Sequence, residues 1–312
     1  MALRVLYFGT PAFAVPSLLA LIESHHTIVG VVTQPDRPRG RGQKIRIEAV
    51  KAAALERSLP VWQPERLKEP AFLEQLAARR PDIAVVAAYG RILPQVLLDL
   101  PRLGFVNVHA SLLPRWRGAA PVHRAIIAGD AATGVTIMRV ILALDAGPML
   151  ARATTPIDPS ETSAALEARL SAMGAAQIVG VLDALDAGQA VETPQDDAAA
   201  VYAPKVERAD SAVDWSASAT AIHNRIRGLH PWPLAATTLA GRRLLLLRSI
   251  VDDATAAGAA PGSILTADGD GLRVATGAGH LRLLDVQPEG RRAMPVRDFL
   301  NGARVAAGDQ FQ

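Results

Sequence analysis

The sequence predicts an α/β protein with two domains: an N-terminal domain built on a parallel sheet, and a C-terminal domain that forms a small β-barrel. Residues 3–8 and 27–33 are apolar runs of strand length, and a helical segment, 12–24, lies between them. Such a βαβ unit builds a parallel sheet. Short strand-like runs separated by Gly, Asp and Pro follow over about one hundred residues at the C-terminal end. The length of 312 residues is enough for both domains.

The alternation of strands and helices continues along the N-terminal domain. Residues 9–11 form the turn between the first strand and the helix that follows it. They contain no G-x-G-x-x-G motif, so the sequence gives little support for a bound dinucleotide. The Asp-Pro-Ser-Glu run at 158–161 has the start signals of a long helix that Gly188 ends. Further strands are predicted at residues 59–62, 82–87, 104–109, 133–140 and 149–156, and further helices at 45–57 and 69–80.

The domain boundary is predicted near residue 200. Residues 192–200 contain Pro194, two Asp and a run of Ala, without a pattern that builds a core. We therefore expect domains at 1–190 and 205–312, joined by a linker at 191–204. In the second domain we expect helices at residues 218–228 and 295–301 and strands at 243–251, 262–266, 271–275 and 281–286.

Composition excludes several classes of protein. Half of the residues are hydrophobic, yet no unbroken apolar run approaches the roughly 20 residues that cross a bilayer. The chain begins directly with strand-like sequence and shows no signal peptide, so we expect a cytoplasmic protein. It has no cysteine, which excludes disulfides, a thiolate nucleophile and a cysteine-bound zinc. The net charge of +3 says little about partners.

The candidate active site lies in the stretch 104–121. This stretch begins as a buried strand and presents Asn107 and His109 on one face, two residues apart, where the strand ends. Pro, Gly and paired Arg residues then require a shaped loop. A neutral imidazole takes up a proton near pH 7, and an Asn amide donates to a developing oxyanion. In open α/β sheets, the functional residues lie in loops at the carboxyl ends of the strands.

Asp145, which follows a downstream apolar run, favours a functional role for His109. A carboxylate close to an imidazole fixes its tautomer and stabilises its protonated form. A single histidine after a strand is more often structural, and spacing alone does not show that Asp145 reaches His109. Both interpretations stay open at this point.

Residues 34–51 form a basic segment. It holds six Lys or Arg residues against two acids, Asp36 and Glu48. A local excess of four positive charges in a Pro/Gly loop suits a polyanion, whereas the alternative is a solvated loop with incidental charge. The six basic residues are Arg37, Arg39, Arg41, Lys44, Arg46 and Lys51.

Motifs spread over almost the whole chain resemble one enzyme family. They lie at residues 8–11, 33–38, 88–90, 106–121, 128–130, 133–138, 202–205, 214–216 and 231–233. Together they resemble the formyltransferases that use 10-formyltetrahydrofolate, and within them the members that act on methionyl-tRNA. The resemblance implies a Rossmann-like formyltransferase domain followed by an OB-like domain that binds tRNA.

The resemblance also implies the reaction and its catalytic residues. The formyl group of 10-formyltetrahydrofolate would pass to the amino group of methionine on initiator tRNA, for translation initiation and without a metal. Asn107, His109 and Asp145 are the implied catalytic set. Asn107 would donate to the oxyanion of a tetrahedral intermediate, while His109 either takes the amine proton or is protonated early and shares the oxyanion.

The binding residues follow from the same resemblance. The turn after the strand at 82–87 would line the pterin pocket, and Arg41 matches a family arginine that touches tRNA. We expect neither a membrane nor an obligatory protein partner. The folate-binding residues are expected to be Tyr89, Gly90, Arg91, Ile92, Leu93, Ser111, Leu112, Leu113 and Pro114. The tRNA-binding residues are expected to be Arg37, Arg39, Arg41, Lys44 and Lys205.

Departures from the family pattern leave alternatives open. Ile141 stands where the family usually has an acid, Ala143 where it has Gly and Ala146 where it has Thr. Residues 46–49 replace a proline-bearing segment, so a helix there can start earlier. One alternative is the same catalytic core with another acceptor: an amino sugar nucleotide, a glycinamide ribonucleotide or water. The other is an RNA-binding protein that kept the fold without the activity.

Overall fold

The computed structural model describes residues 2–39, 44–45, 47–252, 258–269 and 271–312. The chain forms two compact units that interleave along the sequence. Unit 1 comprises Met1–Pro121, Thr133–Thr155 and Glu167–Ala203, and unit 2 comprises Val122–Ala132, Pro156–Leu166 and Pro204–Gln312. The segment expected to link the domains, 191–204, thus belongs to unit 1 as far as Ala203.

The elements of the described chain are as follows. The strands are β1 (Arg4–Gly9), β2 (Thr27–Val32), β3 (Pro38–Arg39), β4 (Lys44–Ile45), β5 (Val61–Trp62), β6 (Ile83–Ala87), β7 (Phe105–His109), β8 (Arg115–Gly118), β9 (Ala132–Arg139), β10 (Met149–Pro156), β11 (Val201–Ala203), β12 (Ala235–Leu239), β13 (Arg242–Asp252), β14 (Ile264–Asp268), β15 (Gly271–Ala275), β16 (His280–Pro288) and β17 (Met294–Pro295). The helices are α1 (Val15–Glu23), α2 (Ala49–Leu55), α3 (Pro70–Ala77), α4 (Gln95–Leu98), α5 (Pro121–Ala128), α6 (Ser163–Asp186), α7 (Ala219–Gly228) and α8 (Val296–Gly302).

A seven-stranded sheet in the order β10-β9-β7-β6-β1-β2-β5 organises unit 1. From β5 to β7 the paired strands are parallel, as predicted, whereas β9 pairs antiparallel with β7. This register places Thr136 opposite His109. The Thr136 hydroxyl donates to the Ser111 carbonyl at 2.7 Å and accepts from the Leu113 amide at 3.2 Å. The antiparallel strand therefore holds the loop that follows His109.

The core of unit 1 explains the unbroken apolar runs in the sequence. Strands β1 and β6 lie inside the sheet and are buried on both faces, so both alternating sets of side chains are apolar. The Phe8 ring packs against two other aromatic rings. Its centroid lies 5.5 Å from that of Tyr89, in an edge-on arrangement, and 5.3 Å from that of Phe105. These contacts join β1, β7 and the turn after β6.

Helices α2 and α6 begin later than predicted, for local reasons. Helix α2 starts at Ala49 rather than at residue 45, because Lys44 and Ile45 pair with β3 as a short hairpin. Helix α6 starts at Ser163, because the Asp158 carboxylate accepts hydrogen bonds from the main-chain amide and hydroxyl of Ser160. The predicted start signal at Asp158 therefore forms a turn before the helix.

Helix α6 packs directly behind the strand that carries the candidate site. Among the described residues it is the one helix long and apolar enough, by length and composition, to cross a bilayer. Leu170, Ile178 and Leu182 form a fully buried stripe along it, the pattern of a helix that covers a core. An added Cβ on Gly174 would lie 2.5 Å from Cγ1 of Val108, so the helix approaches β7 closely between Asn107 and His109.

An antiparallel sheet in the order β12-β13-β16-β15-β14 organises unit 2, and β17 is added to β16. The last residues of the chain bridge its two edges, since Phe311 pairs with Leu239 and Gln310 pairs with Ser263. These main-chain bonds close the sheet into the small barrel that the sequence predicts. Strand β12 was not predicted, because its Ala-Ala-Thr-Thr-Leu sequence has little apolar alternation.

Two glycines of α6 provide a stability test. Gly174→Ala should lower the free energy of unfolding by about 1–3 kcal/mol, because its methyl group overlaps Val108. Gly180→Ala should raise it by about 0.5–1 kcal/mol, because nothing lies within 4 Å and Ala favours the helix. Urea unfolding measures both variants. Equal stability of the two variants would contradict the close packing of α6 on β7.

Candidate active site

Both ring nitrogens of His109 face oxygen atoms. Nε2 lies 2.9 Å from the carbonyl oxygen of Trp116, and Nδ1 lies 3.7 Å from Oδ2 of Asp145. A carbonyl oxygen only accepts hydrogen bonds, so Nε2 carries a hydrogen. In the neutral ring Nδ1 is then the nitrogen with a free lone pair. The side chain is 6% exposed, so water has little access to it.

The Asp145 carboxylate reaches His109 from a loop between β9 and β10. Asp145 has a φ of 47°, a left-handed conformation that costs energy in a residue with a side chain. Its Oδ2 accepts a hydrogen bond from the Gly118 amide at 2.9 Å. The structure thus brings Asp145 close to His109, a contact that the sequence left open because the two residues lie 36 positions apart in the chain.

Asn107 lies on the same face of β7 as His109, since the buried Val106 and Val108 alternate with them. The residue is half-buried between its neighbours on β6 and β9. No described residue is hydrogen-bonded to its side-chain amide. The amide is therefore free to donate to a bound molecule.

The loop 115–118 holds the site together, and sequence reasoning missed its role. Trp116 and Gly118 have φ angles of 65° and 117°. The loop pairs as β8 with β11, where an added Cβ on Gly118 would lie 2.7 Å from the Tyr202 ring. Sequence reasoning also missed Gln195, which donates hydrogen bonds to the main-chain carbonyl oxygens of Asp145 and Gly147. Gly118 had a sequence signal as a loop glycine, whereas the isolated Gln195 had none.

The first predicted folate-binding stretch is the turn that follows β6. Ala88 and Gly90 adopt left-handed φ angles of 45° and 79°. The Tyr89 ring is buried in the core, and its main-chain oxygen accepts a hydrogen bond from Gln34 Nε2 at 2.8 Å. Arg91 donates to the carbonyl oxygens of residues 64 and 65. Of the remaining two residues, Ile92 is 80% exposed and Leu93 is buried.

The second predicted folate-binding stretch, residues 111–114, follows the neighbouring parallel strand β7. Ser111 and Leu113 are buried, and Leu112 and Pro114 are half-buried. The Ser111 hydroxyl donates to the Arg115 carbonyl at 2.7 Å. Because β6 and β7 are parallel neighbours, the two stretches leave the same edge of the sheet. Their role in binding folate stays a prediction.

Part of the charge in the basic segment is neutralised within it. Lys51 forms an ion pair with Asp36 and donates a hydrogen bond to its carboxylate. This hydrogen bond holds the pKa of the Asp36 carboxyl below its usual value. Arg37 and, in unit 2, Lys205 are exposed. Arg41 lies outside the described residues, as do the side chains of Arg39 and Lys44.

One cluster in unit 1 has the composition of a metal site. Potential ligand atoms of His25, His26 and Asp183 lie within 4.8 Å of one another. His26 Nδ1, however, accepts a hydrogen bond from the Leu3 amide at 3.3 Å. The neutral His26 ring therefore carries its hydrogen on Nε2, which faces Asp183 at 3.3 Å. A nitrogen that binds a metal has no hydrogen, so we interpret this cluster as a polar contact.

Unit 2 contains a cavity of about 540 Å³ beside α7. His223 bonds Ser249 and the carbonyl oxygen of Pro159 there, and burial lowers the pKa of His223. Arg227 donates to the carbonyl oxygens of Asp158 and Glu161. These polar groups make hydrogen bonds within unit 2.

Comparisons with known proteins agree over nearly the whole chain. The profile of the family "Formyl transferase" matches residues 1–182, and that of "Formyl transferase, C-terminal domain" matches residues 205–304. A protein of Methylococcus capsulatus named methionyl-tRNA formyltransferase is 49% identical over 97% of this chain and 98% of its own.

Solved structures show the same fold at low sequence identity. An N-formyltransferase from Helicobacter canadensis, in complex with folinic acid and dTDP-3-aminofucose, matches with a TM-score of 0.69 and 15% identity, over 90% of this chain and 98% of that one. A variant of HypX from Aquifex aeolicus matches with a TM-score of 0.66 and 17% identity, over 96% of this chain and 49% of that one.

The position of Gly118 gives a test of the site's geometry. Gly118→Ala should lower the catalytic rate at least about tenfold, because a Cβ at this φ strains the loop and moves the amide that bonds Asp145. Gly104→Ala is the matched control, since Gly104 also has a positive φ but nothing within 4 Å. Steady-state kinetics and thermal melting are measured on both. A fully active Gly118→Ala variant would show that this amide does not position Asp145.

Proposed function

The chain belongs to the formyl transferase family, and we propose that Asn107, His109 and Asp145 catalyse its reaction. The protein transfers the formyl group of 10-formyltetrahydrofolate to the amino group of methionyl-tRNA, a step of translation initiation. The observation that carries the assignment of residues is the contact of 3.7 Å between His109 Nδ1 and Asp145 Oδ2, with Asn107 two residues before His109 on the same face of β7.

The reaction begins with attack of the methionyl amine on the formyl carbon of the donor. A bond forms between the amine nitrogen and this carbon, and the carbonyl electron pair moves to oxygen. The resulting tetrahedral intermediate carries an oxyanion, which the Asn107 side-chain amide stabilises by donating a hydrogen bond. Since Asn107 lies in a strand inside the sheet rather than in a loop, its main chain is held in place before the reaction.

The proton of the attacking amine moves to His109. Nδ1 accepts it, because Nε2 already carries the hydrogen that faces the Trp116 carbonyl. The protonated ring then donates from Nε2 to the Trp116 carbonyl, and the Asp145 carboxylate, 3.7 Å from Nδ1, stabilises its positive charge. When the bond between the formyl carbon and the donor nitrogen breaks, that nitrogen receives the proton. The products are the formylamide and tetrahydrofolate, and the residues return to their starting state.

The folate is proposed to lie along the edge where β6 and β7 end. Ala88 and Gly90 are exposed in the left-handed turn at this edge, and their main-chain groups would suit the hydrogen-bonding rim of a pterin. The loop 111–114 continues from His109 and would guide the formyl end of the donor to it. Folinic acid in the Helicobacter canadensis neighbour supports a folate in this fold.

The acceptor is proposed to be initiator tRNA, bound through its phosphates. Exposed Arg37 and Lys205, together with Arg39, Arg41 and Lys44, would supply the positive charge. We also infer that the protein acts in the cytoplasm, without a membrane or an obligatory protein partner. The near-complete match to a methionyl-tRNA formyltransferase supports this acceptor over an amino sugar or a glycinamide ribonucleotide.

Substitution of the three catalytic residues tests the mechanism. Asn107→Ala, His109→Ala and Asp145→Ala should each lower kcat at least ~10²-fold and change tRNA affinity less, because proton transfer and oxyanion stabilisation act in the transition state. His25→Ala, at an exposed histidine of the same unit, is the control. Near-normal turnover of His109→Ala would refute its role as the base.

The basic segment is tested by the salt dependence of tRNA binding. Arg37→Ala and Arg41→Ala should weaken binding and reduce the slope of log affinity against log salt by up to about one, because each phosphate contact releases a counterion. We expect the larger effect from Arg41→Ala. Lys68→Ala, at an exposed lysine elsewhere in unit 1, should leave the slope unchanged. Unchanged affinity and slope in both arginine variants would identify the segment as a solvated surface only.

A further inference from the structure

We propose that Gln195 is a positioning residue for the reaction, and that it acts by holding the loop of Asp145 against His109. This inference rests on the proposed roles of those two residues. Gln195 is half-buried and lies in the segment that the sequence predicts to be a linker. Nothing in that segment's composition indicates a part in catalysis.

Both donor hydrogens of the Gln195 amide bind the main chain of the Asp145 loop. Nε2 lies 2.9 Å from the carbonyl oxygen of Asp145 and 2.7 Å from that of Gly147. Because carbonyl oxygens only accept, the orientation of the amide is fixed by the two bonds. Gln195 thus holds the main chain before and after Ala146 by hydrogen bonds. In this way it determines the orientation of the Asp145 carboxylate.

The acceptor end of the Gln195 amide is held as well. Its Oε1 accepts a hydrogen bond from Arg117 Nε at 3.0 Å, and Arg117 Nη2 lies 2.7 Å from Oδ1 of Asp197. Arg117 stands between Trp116, whose carbonyl faces His109, and Gly118, whose amide bonds Asp145. One side chain therefore couples the two loops that supply both partners of the His109 ring.

The loop needs such an anchor, because its apolar side chains do not provide one. Ile141, Leu142 and Leu144 are 45%, 60% and 51% exposed, so burial does little to fix this part of the chain. Asp145 is also held at a φ of 47°, which persists only when its surroundings enforce it. A displacement of about 1 Å at a catalytic group is enough to lower the rate by orders of magnitude.

The test compares three substitutions at Gln195 with a matched control. Gln195→Met keeps the length of the side chain and removes all hydrogen bonds, and Gln195→Glu keeps the acceptor for Arg117 but removes both donors. Both should lower kcat by about 10- to 100-fold, with KM for folate and for methionyl-tRNA changed less than about threefold. Gln195→Ala should behave like Gln195→Met. Gln177→Met, at a half-buried glutamine of α6, should retain full activity.

A double-mutant cycle separates positioning from general stability. If Gln195 acts through Asp145, Gln195→Met should cost nothing further in an Asp145→Ala background. Arg117→Met removes the hydrogen bond to Oε1 of Gln195. It should also lower kcat, by a smaller factor than Gln195→Met does. Wild-type kcat in the Gln195 variants, or full additivity with Asp145→Ala, would overturn the inference while the proposed function stands. An active Asp145→Ala variant would instead overturn the catalytic role proposed for Asp145.

Discussion

The restraint on the His109 ring is the interaction on which the rest of the site depends. Its two nitrogens meet the carbonyl of Trp116 and the carboxylate of Asp145, so both contacts favour one orientation of the ring. Each partner comes from a separate loop in a left-handed backbone conformation. The fold surrounds these loops with fixed elements: Thr136 of β9 holds the chain after His109, and β11 holds β8. In the proposed mechanism, a ring restrained in this way would accept the amine proton without rearrangement, which would lower the cost of the chemical step.

The same restraint explains why the unusual residues around Asp145 are compatible with an active site. Ile141 is exposed, and the bonds that fix the loop run to the carbonyl oxygens of Asp145 and Gly147 and to the Asp145 carboxylate itself. None of these bonds needs a particular side chain at residue 141, 143 or 146. The departures that favoured a non-catalytic protein therefore leave the position of the carboxylate intact.

The sequence predicted those parts of the fold and site that follow from local patterns. Apolar runs located the parallel strands, and a two-residue spacing placed Asn107 and His109 on one face of β7. The antiparallel direction of β9 and the late start of α6 depend on tertiary contacts and on a turn at Asp158, which periodicity does not report. Gln195 was missed because its partners are main-chain carbonyls about fifty residues away in sequence.

The fate of the formyl group is the most direct test of the account. The full-length protein is offered 10-formyltetrahydrofolate labelled in its formyl carbon, together with methionyl-tRNA, a dTDP-linked amino sugar and glycinamide ribonucleotide in one competition. The account predicts that the label appears on the α-amino group of methionine in the tRNA and that tetrahydrofolate accumulates in equal amount. Label released as free formate, or found on the sugar or the ribonucleotide in preference to the tRNA, would contradict it.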